Sequence, residues 1–394
     1  MTNLNYKPVI LILNQMAGPM TWELAEDMGD ALGSVALFTG HPDTLQKSHP
    51  QVQLFAAAPY QRGSFLRRAL SWVRYWLQAF FWLWRWPKQT PLLLFSNPPI
   101  LCWLGWLMGA LCGTPYSVMV HDIYPDVLVR MSGFSEKHPL IRLWRGLNRH
   151  AYQRAQVVMT LGEYMAATLA QQFDATKTKQ GRIEVIYPWV DTEKIKPIPK
   201  AENWFAQQYN QVDKLTVMYS GNMGLGHDIE TIIEAVHSLQ DIPGIQFMFV
   251  GSGPKKELVQ QTVQDGAKNV ILLDWVPEDI FPYSLATANV SIVSLETALN
   301  GLAIPSKAVY AMATGAYICA IADISNDLAK WVNGFSVGHI VKPGNARDLV
   351  SFLQNLQANE DVIITTSEIA RNSSLKHFSR KHNTQKILNL LMKL

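Results

Sequence analysis

Three short loops in the second half of the chain combine glycine, hydroxyl and cationic residues in a way that suits an anionic ligand. The first, Ser220-Gly221-Asn222-Met223-Gly224-Leu225-Gly226-His227-Asp228, follows the apolar run LTVMYSG and precedes the helical pattern IETIIEAVHSL. Glycines let the backbone approach a phosphate, and a helix start adds unpaired N–H groups with partial positive charge. A tight turn with Asp228 as helix cap explains the same residues without a ligand. Gly251-Ser252-Gly253-Pro254 repeats the arrangement one unit later, with the proline suited to a first helical position. Pro305-Ser306-Lys307 opens a third helix. A lysine in a first helical turn opposes the helix dipole, and a bound anion removes that conflict. In the first half, His121-Asp122 ends a strand-like run, where an imidazole can meet a hydroxyl or a phosphate. The sequence has no D-x-D pair, no Cys/His cluster with metal-ligand spacing, no G-x-S-x-G elbow and no Walker A loop. No metal and no cofactor is therefore expected, and a departing phosphate would be neutralised by Lys307 and helix dipoles.

These loops need strands to position them. Apolar runs of strand length stand at 8–14, 34–39, 92–96, 116–121, 156–161 and 184–188, most of them followed by a helical pattern. Residues 189–213 interrupt the alternation with Pro197, Pro199 and a short polar helix. It restarts with runs at 215–221, 245–251, 270–275 and 290–295. Strands alternating with helices predict parallel sheets covered on both faces. The expected organisation is an N-terminal Rossmann-like domain over 1–188, a linker over 189–213, a second such domain over 214–365, and a C-terminal helix over 366–394. Two doubly wound α/β domains facing a cleft form a natural ligand site, because ligands bind beyond the carboxyl ends of the strands.

Net charge is only +3, which carries no nucleic-acid signature. The charge is unevenly spread: residues 1–200 hold 20 Lys+Arg against 13 Asp+Glu, and residues 201–394 hold 14 against 18. Between Asp43 and Asp122 there is no acidic residue, but there are Lys47, Arg62, Arg67, Arg68, Arg74, Arg85, Lys88 and seven of the 13 tryptophans. Cations beside Trp and Phe suit an anionic membrane surface, so Arg67, Arg68, Arg74, Trp72 and Trp76 are the expected contacts. The run 65–86 carries four arginines, which argues for peripheral contact rather than a span. Cys102, Cys112 and Cys319 read as buried free thiols, and no signal peptide is visible, so a cytoplasmic location is expected.

The chain resembles family 4 of the retaining glycosyltransferases, with the GT-B fold, and is most similar to bacterial enzymes that build exopolysaccharide, capsule or O-antigen units. The stretches that carry the likeness are VHDIYPD (120–126), VIYPWVD (185–191), YSGNMGLGHDIETIIEA (219–235), FVGSGPKKELV (249–259), LLDWVPEDIFPYSLATANVSIVSL (272–295) and IPSKAVYAMATGAYICA (304–320). The resemblance implies that Gly221 and Asn222 meet the donor diphosphate and that Gly251, Ser252 and Gly253 pass close to the nucleotide. Trp275, Val276 and Pro277 would flank the base, Ser306 and Lys307 would hold the diphosphate, and His121 would lie near the transferred sugar. Gly18 and Asp122 fall on the acceptor side. Many members carry two glutamates where this chain has Leu302 and Tyr310, and Glu296 or Asn300 would have to supply the missing sugar contacts.

The expected function is metal-free transfer of a sugar, with retention, from a nucleoside diphosphate sugar, UDP-linked, to a lipid-linked or saccharide acceptor in surface polysaccharide assembly. Domain closure would expel water from the site. The alternatives are a catalytically silent GT-B module that binds nucleotide sugar, or a nucleotide-sugar epimerase of the same fold.

Overall fold

The computed structural model describes residues 7–61, 63–179 and 181–393; Arg62 lies outside them. The chain divides into unit 1 (Met1–Tyr187, Gly301–Ala303 and Lys381–Leu394) and unit 2 (Pro188–Asn300 and Ile304–Arg380). Each is a doubly wound α/β unit built on one parallel sheet.

Unit 1 contains strands β1 (Ile10–Leu13), β2 (Val35–Thr39), β3 (Val52–Ala56), β4 (Leu92–Phe95), β5 (Tyr116–Val120), β6 (Val158–Thr160) and β7 (Ile183–Val185). All pair in parallel, in the order β3-β2-β1-β4-β5-β6-β7. Every residue of β1, β2, β4 and β5 is buried, as a sheet with helices on both faces requires. The order reverses between β1 and β4, so the loops that follow those strands open at the edge where doubly wound sheets take ligands.

Unit 2 contains β8 (Leu215–Ser220), β9 (Ile245–Val250), β10 (Val270–Leu273), β11 (Val290–Ser294), β12 (Tyr317–Ile321) and β13 (Gly338–Val341), all parallel, in the order β10-β9-β8-β11-β12-β13. Its core gathers Tyr219, Phe247 and Phe249 from the sheet with Ile232, Val236, Leu349 and Leu353 from helices. Here the order reverses between β8 and β11, which aims the 221–229 and 295–306 loops at one edge.

Several expectations need correction. Strands β3, β12 and β13 have no counterpart in the sequence reading; β13 is Gly-His-Ile-Val, too short and polar to stand out as an apolar run. Residues 189–213 are no free linker. Phe205 is buried, and the Asn203 side-chain amide donates to the Tyr283 carbonyl (2.8 Å). Lys200 Nζ donates to the carbonyls of Gln211 (3.0 Å) and Lys214 (2.8 Å), to Thr216 Oγ1 (2.9 Å) and to Asn289 Oδ1. The C-terminal stretch is two helices, Glu360–His377 and Arg380–Met392. Between them Phe378 is fully buried against Trp331, and Ser379 bridges Val190. Cys102 and Cys319 are buried, but Cys112 is only half-buried.

The basic, aromatic run forms one helix, Phe65–Leu83, whose first turn is capped by Ser64 Oγ accepting from the Arg67 amide. Trp72 is a core residue rather than an outward contact. It lies on the same helical row as Tyr75, Ala79 and Trp82, all buried, and Trp82 stacks on Phe38 at 4.7 Å. Trp76 is half-buried and stacks on Phe80. The outward stripe is instead Leu66, Leu70, Val73, Leu77, Phe81 and Trp84, all exposed. At about 100° per residue these six fall within one sector of roughly 80°, and exposed Arg67 and Arg74 border it on one flank. Among the described residues no helix is long and apolar enough to cross a membrane.

Candidate anion-binding site

Of the residues singled out in unit 2, the 221–223 and 251–253 loops and Lys307 meet beside its strand reversal. Lys307 begins the helix Lys307–Ala313; its Nζ donates to the Asn222 carbonyl (3.1 Å) and to Tyr219 Oη (2.5 Å). Tyr219 Oη in turn donates to the Asn222 carbonyl (2.8 Å), and the ammonium lies 3.8 Å from the Tyr219 ring centroid, within cation–π reach. Burial lowers the Lys307 pKa to about 7, and no carboxylate acts to hold its charge. A cation in this condition gains from any anion that replaces the water it has lost.

The glycines exist to let this lysine and these loops meet. Gly221 has φ +123°, and a Cβ there would stand 2.7 Å from Lys307 Cε. Gly251 has φ +135°, and its Cβ would stand 2.2 Å from the Gly221 carbonyl oxygen. The loops are also laced by backbone bonds: the Met223 amide donates to the Ser252 carbonyl (2.8 Å), and the Lys255 amide donates to the Met223 carbonyl (3.0 Å). Gly253 lies in the same seam, where the Met223 carbonyl and the Asn222 side chain leave no room for a Cβ.

Two residues of the site were not assigned from sequence. His227 Nδ1 lies 2.7 Å from the Ser294 carbonyl, which only accepts, so Nδ1 carries the proton and Nε2 is left as an acceptor. Burial, with the charges of Lys307 and Lys255, holds the imidazole at about 4, neutral at physiological pH. Lys255 Nζ donates to the His227 carbonyl (2.7 Å) and pairs with Glu230 (2.9 Å) and Glu296 (3.5 Å). Both stand between a glycine loop and a helix start, where the sequence reading named Asp228 and Pro254 but neither of these two. Asp228 does cap: its carboxylate accepts from the Thr231 amide (2.9 Å) and the Gly344 amide (3.1 Å).

The other named positions lie as follows. Trp275 is 54% exposed beside the ion pair of Lys256 with Asp274. Val276 packs on the cluster of Phe205 and Met218, and the Pro277 carbonyl accepts from the amides of Ile280 and Phe281. Ser306 is exposed just before Lys307. The carboxylate of Glu296 is engaged by Lys255, its amide donates to the Gly226 carbonyl (3.0 Å), and Asn300 Oδ1 accepts from Asn326 Nδ2 (3.3 Å). Tyr310 is half-buried, edge-on to Phe281 at 5.6 Å.

In unit 1, His121 and Asp122 follow β5, and the amides of both donate to Ser96 Oγ (2.9 and 3.3 Å). His121 packs edge-on against Phe95, and its buried Nε2 has no partner among the described residues. Burial holds this imidazole at about 4 and pushes the Asp122 carboxyl up to about 6. Leu302 belongs to this unit: its side chain is buried and its carbonyl accepts from the Ile123 amide (2.9 Å). Gly18 precedes the helix Pro19–Leu32, and a Cβ there would meet nothing within 4 Å.

Residues 17–194 match the model of Glycosyltransferase Family 4. This segment, less than half of the chain, is similar to that family. Consistent with this, 262 residues are 22% identical to WbjE of Pseudomonas aeruginosa, named as a probable glycosyltransferase, covering 66% of this chain and 64% of that one. A stretch of 148 residues is 28% identical to WcaI of Escherichia coli K12, named for colanic acid biosynthesis, covering 36% of each chain. The chain thus spans less than two thirds of the length of either curated relative. Among solved structures, HepE of Anabaena in complex with UDP superposes with a TM-score of 0.73 at 18% identity, covering 99% of this chain and 100% of that one. Sucrose-phosphate synthase of Thermosynechococcus elongatus superposes with a TM-score of 0.76 at 18% identity, covering 98% and 99%. These likenesses show the GT-B fold.

Proposed function

We propose that this protein is a glycosyltransferase that takes a sugar from a UDP-linked donor and passes it, with retention and without metal, to a lipid-linked acceptor in surface polysaccharide assembly. The observation that carries the reading is the half-buried ammonium of Lys307, held against the Asn222 carbonyl at the strand reversal of unit 2 with no carboxylate among the causes that set its pKa. The donor base follows the solved neighbour, whose structures hold UDP and UDP-glucose. In this reading Lys307 and the adjoining amides neutralise the diphosphate as its bond to the sugar breaks. Exposed Trp275 flanks the base. His227 Nε2, neutral and unshared, accepts from a donor hydroxyl. Unit 1 serves the acceptor, with the His121 Nε2 as a further acceptor for a sugar hydroxyl. A phosphate oxygen assists the attacking hydroxyl, which keeps attack on the donor face. The apolar stripe of the Phe65–Leu83 helix, flanked by Arg67 and Arg74, supports a position at an anionic membrane surface on the cytoplasmic side.

A thermal-shift screen with UDP-, GDP-, ADP- and dTDP-sugars tests the donor. UDP-sugars are expected to raise the melting temperature by mass action, and Lys307→Ala is expected to remove that rise. Product analysis with a lipid-linked acceptor then separates transfer from epimerisation and from silent binding. Turnover that persists in EDTA supports the metal-free step, and turnover abolished by EDTA overturns it.

A further inference from the structure

Three helices of unit 1 lie side by side on one face of its sheet. The Phe65–Leu83, Leu101–Cys112 and Pro139–Arg154 helices lead into β4, β5 and β6. Each crossover steps the same way along the sheet order, so right-handed connections put all three on one side. The Pro19–Leu32 helix steps the other way and falls on the opposite side. The middle helix packs against both neighbours.

That middle helix, LCWLGWLMGALC, has no charged, hydroxyl or amide side chain. Its buried row includes Leu101, Leu104, Gly105 and Met108. The opposite side holds Trp103, Trp106, Leu107, Ala110 and Leu111 within about 140° of helix circumference, and Leu111 is 60% exposed. A surface helix ordinarily turns polar residues outward; one that is apolar all round needs apolar cover.

Both neighbours extend this face. On the Pro139–Arg154 helix, Leu140, Leu143 and Leu147 share about 60° on the flank of Trp144, which packs against Trp103 at 5.7 Å. Leu140 and Leu143 are 66% and 59% exposed. Arg142, Arg145 and Arg149 take the other flank. On the Phe65–Leu83 helix, half-buried Trp76 and Phe80 lie between the exposed stripe and the side of Trp72, which meets Trp144 at 6.5 Å. Arg67 and Arg74 border the stripe on its far side, together with Gln78, whose side chain accepts from the Ala58 amide (2.7 Å) just after β3. The result is an apolar face three helices wide with arginines along each outer edge. None of these helices contains an acidic residue.

We propose that this whole face rests on an anionic phospholipid bilayer, with the Leu101–Cys112 helix at its centre among the acyl chains and both arginine edges at the phosphates. This rests on the membrane position of the preceding reading and widens its contact from one helix to three. A bilayer supplies apolar cover together with negative charge along every edge. A second copy seated on the face by two-fold symmetry would instead set arginine edge against arginine edge.

Flotation of the full chain with phosphatidylglycerol vesicles tests the proposal. Wild type is expected to float and to be released as salt is raised. Replacing Leu111, Leu140 and Leu143 together by Gln is expected to lower the vesicle partition roughly tenfold or more, with UDP affinity and melting temperature unchanged. Arg142→Glu on one edge is expected to weaken flotation as much as Arg74→Glu on the other. Wild-type flotation of the Leu111, Leu140 and Leu143 variant overturns the proposal. If replacing Leu70, Leu77 and Phe81 by Gln still abolishes flotation in that case, the contact is the Phe65–Leu83 helix alone and the membrane reading stands. If neither variant changes flotation, or wild type does not float, the membrane reading itself is lost. Photolabelling of wild type by phosphatidylglycerol with a diazirine in its acyl chain needs no variant. Labelled peptides are expected from 101–112 and 139–147 as well as 65–84, and label confined to 65–84 overturns the proposal. So does a concentration-dependent dimer of the lipid-free chain that the Leu111, Leu140 and Leu143 variant abolishes, which makes the face a contact between copies.

Discussion

Lys307 is the residue on which the donor chemistry turns, and its protonation gives a sign that can be checked. The free ammonium titrates near 7 because burial disfavours its charge. A bound diphosphate favours the charged form and raises that pKa, so binding takes up a proton at any pH between the two values. UDP affinity should therefore decline as pH rises from 7 to 9, by up to about tenfold per unit. Titration calorimetry in buffers of different ionisation enthalpy should detect the proton uptake. In Lys307→Ala the decline should vanish and affinity should be low throughout; a wild-type affinity flat across this range removes the lysine from the diphosphate. Gly251 offers a test of the loop geometry instead. Alanine there would need φ +135° and would drive Cβ to 2.2 Å from the Gly221 carbonyl. Gly251→Ala should cost at least about 2 kcal/mol in urea unfolding.

At the scale of elements, the Phe65–Leu83 helix separates packing from docking on two faces. Replacing Leu70, Leu77 and Phe81 together by Gln should abolish flotation with phosphatidylglycerol vesicles while shifting unfolding by less than about 1 kcal/mol, since these side chains are exposed. Trp72→Ala should do the reverse, costing about 3–5 kcal/mol. Flotation unchanged in the triple variant would overturn the docking role. The same helix shows where sequence reading stops. Its composition announced a basic aromatic element, but not which tryptophans face inward, because Trp72 and Trp82 follow the helical period only once the buried partners Phe38 and Tyr124 are known. Strands β8, β9 and β11 were legible as apolar runs between glycine loops. β13 was not, since it is short and mostly half-buried, and its place comes from pairing beside β12 rather than from an apolar composition. In the candidate site the glycines and Lys307 were readable from their types and order. His227 and Lys255 were not, because their roles depend on a carbonyl of β11 and carboxylates far along the chain.

Across the whole molecule, chain order and unit membership differ. The path leaves unit 1 after Tyr187, lends Gly301–Ala303 back to it, and returns for Lys381–Leu394. The last helix is thus a structural part of unit 1 although it follows all of unit 2. Its Asn383, Thr384, Ile387, Leu388 and Leu390 are buried, and Lys386 Nζ donates to the Val185 carbonyl (2.8 Å) at the end of β7. Burial of three aliphatic side chains is worth roughly 5 kcal/mol, a large share of a single domain's stability. Ending the chain after Arg380 should therefore weaken unit 1, the more distant segment in sequence, and spare unit 2. Differential scanning calorimetry should show one transition moved to lower temperature, while UDP still raises the melting of the other. A truncated chain in which both transitions stay in place would mean that the last helix contributes nothing to unit 1. A chain in which the UDP-responsive transition is the one that falls would assign the helix to the wrong unit.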